Sequence, residues 1–580
     1  MNRRGVSAWY HEREVWLMFA LVVAIYFTRL TALPIAGEEG RWGSAAAEML
    51  QTGDWLVLRQ QGSIFSEKPP LTAWAMAAVG YLRGGVDDVA VRLPSVVSVL
   101  LTSVLLYWYA RRFLSPLGAL TSGAAYATMG QVLQIGRMGE SEALFTLLTS
   151  ASLLVWHAGY VANKRPALVW LAGYALAALA CYVKTPQAIV YFVSVTGVYL
   201  VWQRSFCWLF GAGHIVGIIG FLATLALWEV PYIRATSWSH ALEPWFGLAT
   251  DRFGLQKLPA HLVTFPLETF ACLLPWSPLL LALFIPQVRR TLRASESAAQ
   301  LFTFASIALV VTYPSVLFAA TANSRYFMPL YPIVALIVGL LVERGATAAA
   351  GSPLRMAWQR FAWGLAIAVV FGAVAATVAP RVREQPLWLV GGVMIAGLAG
   401  AIVCIQSARL NTNERATSAV LALTGCVAIG YTGLAINVQR ATWNDARPAI
   451  LAAKQRLPQP EELVSFGTVD HRFAYLYDDF IPERPWPIQP EDVPDGVEYF
   501  CFNRNPWHRP DRRADGRGRA KWVTLGIMPF EWEEVAVVNV ERRIKDGPQP
   551  EVVIGRIVRR NDTRLATQPT AGADGSSAWR

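Results

Sequence analysis

Charge is what this chain has least of: 16% of its 580 residues are Asp, Glu, Lys or Arg, where soluble domains carry about 25%. With 54% of the residues hydrophobic, that shortage excludes disordered and collagenous chains. Cysteine is sparse too. The six, Cys181, Cys207, Cys272, Cys404, Cys426 and Cys501, include no Cys-x-x-Cys and no metal-type spacing, which excludes a disulfide framework and a zinc module. Five of them lie in or beside apolar segments and read as buried thiols. Acidic residues are short in one region only: residues 1–437 hold 30 Lys and Arg against 19 Asp and Glu, while residues 438–580 hold 21 of each. The whole +11 excess therefore belongs to the first region. A nucleic-acid-binding chain needs its basic patch on a soluble domain, and the polar region here is neutral, so no nucleic-acid partner is expected.

What the chain does have is apolar length. Runs of 18 or more apolar residues recur to about residue 437 and then stop, which reads as an all-α polytopic membrane bundle over 1–437. The spacing predicts about 13 spans, in the windows 14–32, 92–110, 117–133, 142–160, 167–183, 187–203, 207–229, 265–286, 300–320, 326–343, 361–380, 386–406 and 416–436. The first run is span-length and no small-residue cleavage site follows it before Glu38, so it is expected to stay as a span rather than be removed as a signal peptide. With the N-terminus inside, the inside segments hold 16 Lys and Arg, and the short outside loops hold five: Arg137, Lys184, Arg325, Arg381 and Arg383. Basic residues favour the cytoplasmic side. That orientation, in a multi-pass protein of the inner or plasma membrane, puts the loops 33–91 and 230–264 and the whole C-terminal region outside the cytoplasm. Residues 438–560 alternate β-rich runs with turns and read as a small soluble α/β domain. Its strands are expected over 463–469, 473–477, 497–502, 523–528, 535–540 and 552–558, after one helix with Asp445 as its N-cap. Residues 503–519 read as a loop, and 561–580 as a disordered tail.

Chemistry can sit in the first outside loop, which holds Gly37-Glu38-Glu39-Gly40-Arg41-Trp42 and then Glu67-Lys68-Pro69-Pro70. Acids at a membrane edge accept protons or bind cations, and a lysine beside them can hold a phosphate. A solvated turn and a proline-stiffened helix start are the plain alternatives. Lys184 is a charge beside a bilayer-length run, either functional or a snorkelling end residue. His214 reads as a polar packing group, and Trp228 and Trp276 as interface anchors.

These pieces fall in a recognisable order. The string GEEGRWGSAAAEMLQTGDWLVLRQQGSIFSEKPPLTAW is followed by VAVRLPSVVSVLL, by Arg137-Met138-Gly139-Glu140-Ser141-Glu142-Ala143-Leu144, and by Val183-Lys184-Thr185-Pro186. Leu274-Pro275-Trp276-Ser277 and Ser324-Arg325-Tyr326-Phe327-Met328-Pro329 complete the series. Over roughly residues 14–345 the chain resembles the protein O-mannosyltransferase and aminoarabinose-transferase (ArnT-like) family. The resemblance implies a GT-C fold with its active site on the non-cytoplasmic side. It also implies a polyprenyl-phosphate sugar donor, used by an inverting mechanism on a glycolipid (lipid A-like), polysaccharide or protein acceptor at the surface of the membrane lipid.

Matched residue by residue, Glu38 takes the place of the family's principal catalytic carboxylate, with Glu39 beside it. Glu142 takes that of an Asp five residues after an Arg, here Arg137. Both are Glu where the family has Asp, a change that moves the charge by about one C–C bond, ~1.5 Å. Glu67 would support the acceptor or a divalent metal, the one cofactor the motifs admit. Lys68 would contact the lipid phosphate, and Lys184, Arg325 and Tyr326 the phosphate or the sugar. A nucleotide sugar is not implied, and no Asp-x-Asp triplet of the kind that binds one through a metal occurs in the chain. The alternatives are a polytopic transporter, which should show midplane charges and two similar halves, and a membrane scaffold, which needs no Glu-rich first loop.

Overall fold

The computed structural model describes residues 12–184, 186–246, 257–378, 380–409, 412–458, 463–504, 528–540 and 551–559. The chain forms two compact units, Met1–Asp445 and Ala446–Arg580.

In the first unit α1 (Arg13–Tyr26) leads to α2 (Glu39–Thr52), a hairpin of β1 (Arg59–Gln60) and β2 (Ser63–Ile64), and α3 (Leu71–Arg83). The bundle continues through α4 (Asp88–Ala110), α5 (Pro116–Thr128), α6 (Gly130–Ile135), α7 (Glu142–Val161), α8 (Pro166–Cys181), α9 (Gln187–Trp202), α10 (Phe206–Leu209) and α11 (Ala212–Ala235). Then come α12 (Trp238–Phe246), α13 (Leu258–Cys272), α14 (Ser277–Leu280), α15 (Pro286–Leu292), α16 (Glu296–Leu317) and α17 (Tyr331–Thr347). The last helices of the unit are α18 (Pro353–Val378), α19 (Pro380–Arg383), α20 (Leu387–Arg409), α21 (Asn413–Ile429) and, after a π-helical turn Gly430–Ala435, α22 (Ile436–Thr442).

Helix fits these runs because a chain in hydrocarbon must satisfy its backbone groups within the segment. Among the described residues seven helices are long and apolar enough to cross a membrane, or eight if the pair Leu258–Cys272 and Ser277–Phe284, bent by 116°, makes one span. A helix also runs through each of the other predicted windows, but α1, α5, α8 and α9 have only 14, 13, 16 and 16 residues. The span that ends in α17 is 89% buried within the protein, whereas the one that ends in α11 is 11% buried. Burial makes α17 the central post. An apolar helix left as bare as α11 needs a surrounding other than water, and a bilayer supplies it.

The stretch 33–91 is not an open loop. Gly53, at φ +71°, ends α2 in the left-handed conformation that glycine adopts without steric cost. The buried Glu48 accepts the Gly62 amide at 3.0 Å, which pins the hairpin to α2. Asp87 caps α4 by accepting the Ala90 amide at 2.8 Å. In the second long stretch α11 runs on to Ala235 and α12 follows, while residues 247–256 lie outside those described.

The second unit holds α23 (Arg447–Lys454), β3 (Val464–Phe466), α24 (His471–Tyr477), β4 (Glu483–Arg484), β5 (Tyr499–Asn503), β6 (Glu531–Asn539) and β7 (Glu551–Arg559). The strands form one sheet in the order β4-β3-β5-β7-β6, with β3 parallel to β4 and β5 and the other pairs antiparallel. Phe466, Phe500, Phe502, Phe530 and Val553 make its core. Two expectations are corrected. Residues 473–477, read as a strand, lie in α24, because Asp470 accepts the Arg472 amide at 2.8 Å and starts a helix there. The first helix is capped at Ala446, not Asp445, with a proline in its first turn. The expected strand 523–528 falls outside the described residues except for Met528, as do the loop from 505 onward and the tail 561–580.

Candidate active site

The site is built at the end of the bundle where α1 and α8 finish and α4 and α7 begin. After α1 the chain turns through Gly37 at φ +58° and enters α2 with Glu38 as its N-cap. Glu39, in the first turn, points inward. It is fully buried and paired with Arg92 of α4, which is 2% exposed, at 2.7 and 2.9 Å. The remaining Arg92 donors reach the carbonyls of Leu30, Leu33 and Pro34 at 2.9–3.0 Å. Glu39 also accepts the amides of Gly139 at 2.7 Å and Ala36 at 2.9 Å. One ion pair thus ties the exit of α1, the start of α2, the helix α4 and the turn before α7. The neighbouring Arg137 completes this lining by donating to the carbonyls of Ile25, of Thr28 at 2.7 Å and of Arg29 at 2.9 Å.

Glu38 faces the other way. Its side chain is 31% exposed and pairs with Arg41, one helical turn on, at 2.8 Å. Arg41 also lies 3.9 Å from Glu67. Behind Glu38 the turn between α6 and α7 brings up two buried acids, Glu140 and Glu142. Glu142 binds Lys184 at 3.1 Å, and its carboxylate stands 3.5 Å from Arg325 Nε. Glu140 binds Arg325 Nη1 at 3.2 Å. Arg325 arrives on a 3₁₀ turn, Ser324–Leu330, that Asn323 caps by accepting the Arg325 amide at 3.2 Å. The Tyr326 ring lies 4.5 Å from Lys184 Nζ, a cation–π contact.

Lys68 completes the cluster from the Glu67-Lys68-Pro69-Pro70 segment. The Leu71 amide donates to the Tyr182 carbonyl at 2.9 Å, which anchors this segment beside the end of α8. Burial and the positive charge of Lys184 push the Lys68 ammonium down to about 8, while Glu38, Glu142 and Glu67 pull it up. Among the described residues no carboxylate forms an ion pair with it. Burial, and then the charge of Glu142, raise the Glu140 carboxyl above the usual range, and Arg325 opposes them.

Glu38, Glu142, Lys184, Arg325, Tyr326 and Lys68 are therefore brought together, with Glu67 at the edge behind Arg41. Glu39 lies in the interior, its carboxylate enclosed by the Arg92 guanidinium and two amides.

A family model described as dolichyl-phosphate-mannose-protein mannosyltransferase matches residues 67–228. An undecaprenyl phosphate-alpha-4-amino-4-deoxy-L-arabinose arabinosyl transferase of Pseudomonas paraeruginosa is 27% identical over 354 residues, 58% of this chain and 61% of that protein. One of Pseudomonas fluorescens is 27% identical over 365 residues, 59% of this chain and 60% of the relative. The matches thus span about 60% of the length of these curated relatives. A crystal structure of ArnT from Cupriavidus metallidurans bound to undecaprenyl phosphate has a TM-score of 0.67 at 16% identity, covering 94% of this chain and 98% of that one. The chain shares the fold of that ArnT. The apo form of the same ArnT gives 0.64, over 93% of this chain.

Three residues of the site escape a reading of the sequence. Arg41 and Arg92 stand as ordinary helix charges, and the pairing of Arg92 with Glu39 crosses 53 positions. Glu140 lies in a quoted motif, but nothing in its spacing distinguishes it from a turn acid. Among the described residues no three His, Cys, Asp or Glu are grouped to hold a metal ion, and the carboxylate of Glu67 faces the Arg41 guanidinium, so the residues present do not fit a metal at Glu67. His214 packs between Tyr174, at 2.8 Å, and the Leu209 carbonyl. Trp276 and Trp228, expected at the interface, are instead buried, with their indoles donating to Thr128 at 2.8 Å and to the Leu56 carbonyl at 3.1 Å.

Proposed function

We propose that this ArnT-like chain is an integral membrane glycosyltransferase that moves a sugar from a polyprenyl-phosphate donor to a glycolipid, polysaccharide or protein acceptor on the outer face of the inner membrane. The observation that carries the reading is the open carboxylate of Glu38 set among Lys68, Lys184 and Arg325 at one end of an apolar bundle. A lipid-linked donor has to be met at the bilayer surface, and its phosphate leaving group needs cations where negative charge develops. The names of the curated relatives support the same donor class.

In this mechanism the acceptor oxygen attacks the anomeric carbon from the side opposite the phosphate, and the bond from that carbon to the phosphate oxygen breaks with inversion. The electron pair leaves with polyprenyl phosphate, whose charge is met by Lys68, Arg325 and Lys184. A hydroxyl acceptor gives its proton to Glu38, which the contact with Arg41 orients; a phosphate acceptor has no proton to give up. Glu142 holds Lys184 and Arg325 in place, Tyr326 supports Lys184, and Glu39 serves the scaffold. The topology that goes with this reading has about 13 spans in a membrane domain over 1–437 and a soluble α/β domain over 438–560 outside the cytoplasm. The excess of basic residues in the opposite loops supports it.

Purified protein in nanodiscs, given polyprenyl-phosphate pentoses and hexoses, 4-amino-4-deoxyarabinose among them, with a lipid A acceptor and membrane extract, should release polyprenyl phosphate from one of them. Glu38→Gln should lower that turnover about 10²–10⁴-fold. Failure to consume any of the donors would refute the proposal.

A further inference from the structure

Glu140 has no place in the chemistry just described, yet the site is assembled around it. Its side chain is 6% exposed, so it cannot itself meet a substrate in this arrangement. Its two carboxylate oxygens reach the two sides of the site. One accepts the backbone amide of Glu38 at 3.2 Å. The other accepts from Arg325 Nη1 at 3.2 Å. The first oxygen also lies 2.7 Å from where a Cβ would stand on Gly37, so the turn into Glu38 packs directly on this carboxylate. Glu140 is itself held from behind. Its amide donates to the Met138 carbonyl at 2.8 Å, and its carbonyl accepts from Ser95 of α4 at 3.1 Å.

We propose that Glu140 is a positioning residue, which aims the Glu38 carboxylate through the Glu38 amide and the Gly37 turn and holds Arg325 back from the donor phosphate until that phosphate arrives. The inference rests on the glycosyltransferase reading, and it separates two effects. As a hydrogen-bond acceptor Glu140 serves the turnover step, because a displacement of about 1 Å at a reacting group can cost 10²-fold. Its second oxygen competes with the donor phosphate for the Arg325 guanidinium, so removing that acceptor leaves Arg325 freer to bind phosphate.

The test measures kcat for sugar transfer and, separately, the affinity for polyprenyl phosphate in nanodiscs at one salt concentration. Glu140→Ala should lower kcat roughly 10- to 100-fold while affinity for polyprenyl phosphate stays level or tightens by up to about tenfold. Glu140→Gln keeps an oxygen for the Glu38 amide and loses the one that faces Arg325, so it should hold kcat within about threefold of the wild type and share the affinity of the alanine variant. Wild-type kcat in Glu140→Ala would overturn the inference, as would a parallel loss of kcat and affinity, which marks a merely structural residue. Equal damage from the glutamine and alanine variants would also overturn it. A wild-type protein that consumes no lipid-linked sugar refutes the underlying function instead.

Discussion

Lys68 offers the sharpest check on where the donor phosphate is held. Its side chain is half-buried near the charge of Lys184 and forms no ion pair among the described residues, so a phosphate entering the site would be its first close anionic partner there. A hydrogen bond between charged groups contributes about 1.5–3 kcal/mol. Lys68→Ala should therefore weaken polyprenyl-phosphate binding by roughly ten- to a hundredfold. The site adds a pH signature. Burial and Lys184 bring the free Lys68 down to about 8, and a bound phosphate raises it again. Below that pH the lysine is already protonated and binding takes up no proton. Above it, each binding event must take one up, so affinity should fall by up to about tenfold per pH unit. Lys68→Arg keeps a cation that does not titrate and should flatten the fall above pH 8. The assay is polyprenyl-phosphate affinity in nanodiscs from pH 6.5 to 9.5, with Lys164→Ala, an exposed lysine on the other end of the bundle, as control. If Lys164→Ala weakens binding as much as Lys68→Ala, or if the wild-type affinity is flat through pH 8–9, the assignment of the phosphate to Lys68 is wrong.

Three further outcomes follow from the same geometry. Glu142→Gln should lose activity and stability together, because it leaves Lys184 and Arg325 facing each other without their shared carboxylate; thermal melting and turnover should both fall, and an unchanged melt would argue against that role. Glu39→Gln should cost about 3–5 kcal/mol by stranding the buried Arg92, read as a loss of folded protein on extraction, and a variant that folds normally but is inactive would return Glu39 to catalysis. A cysteine at Ser63, in the hairpin of a background without the native cysteines, should react with an impermeant reagent on intact cells, and protection from that reagent would reverse the topology.

Much of this was legible along the chain. The shortage of charge and the length of the apolar runs determine a helical membrane protein, because an unbroken apolar run of that length satisfies its backbone in hydrocarbon as a helix, whereas barrel strands are short and alternating, and a helix runs through every predicted window. The short segments Glu67-Lys68-Pro69-Pro70 and Ser324-Arg325-Tyr326 stood out because proline and charge are unusual beside apolar runs. The stretch 33–91 was harder to read. Its helices are short and small-residue-rich, and they are stabilised by contacts such as Glu48 to Gly62 rather than by a strong apolar stripe. Residues 473–477 misled because Phe, Tyr and Leu suit a strand and a helix alike, and one cap at Asp470 decided between them.

The amino-acid sequence by itself determined which segments are apolar enough for a bilayer and which are not, because transfer free energy is a property of the residues themselves. Which acid does what was decided only by the tertiary structure. Glu38 and Glu39 are adjacent and chemically identical, yet one turn of backbone at Gly37 leaves the first among cations at an open edge and seals the second against Arg92. Glu140 became part of the site only when the turn before α7 was brought against the amide of a residue 102 positions away. A carboxylate's function depends on its burial and its neighbours' charges, and both are set by contacts between distant segments that no local pattern records.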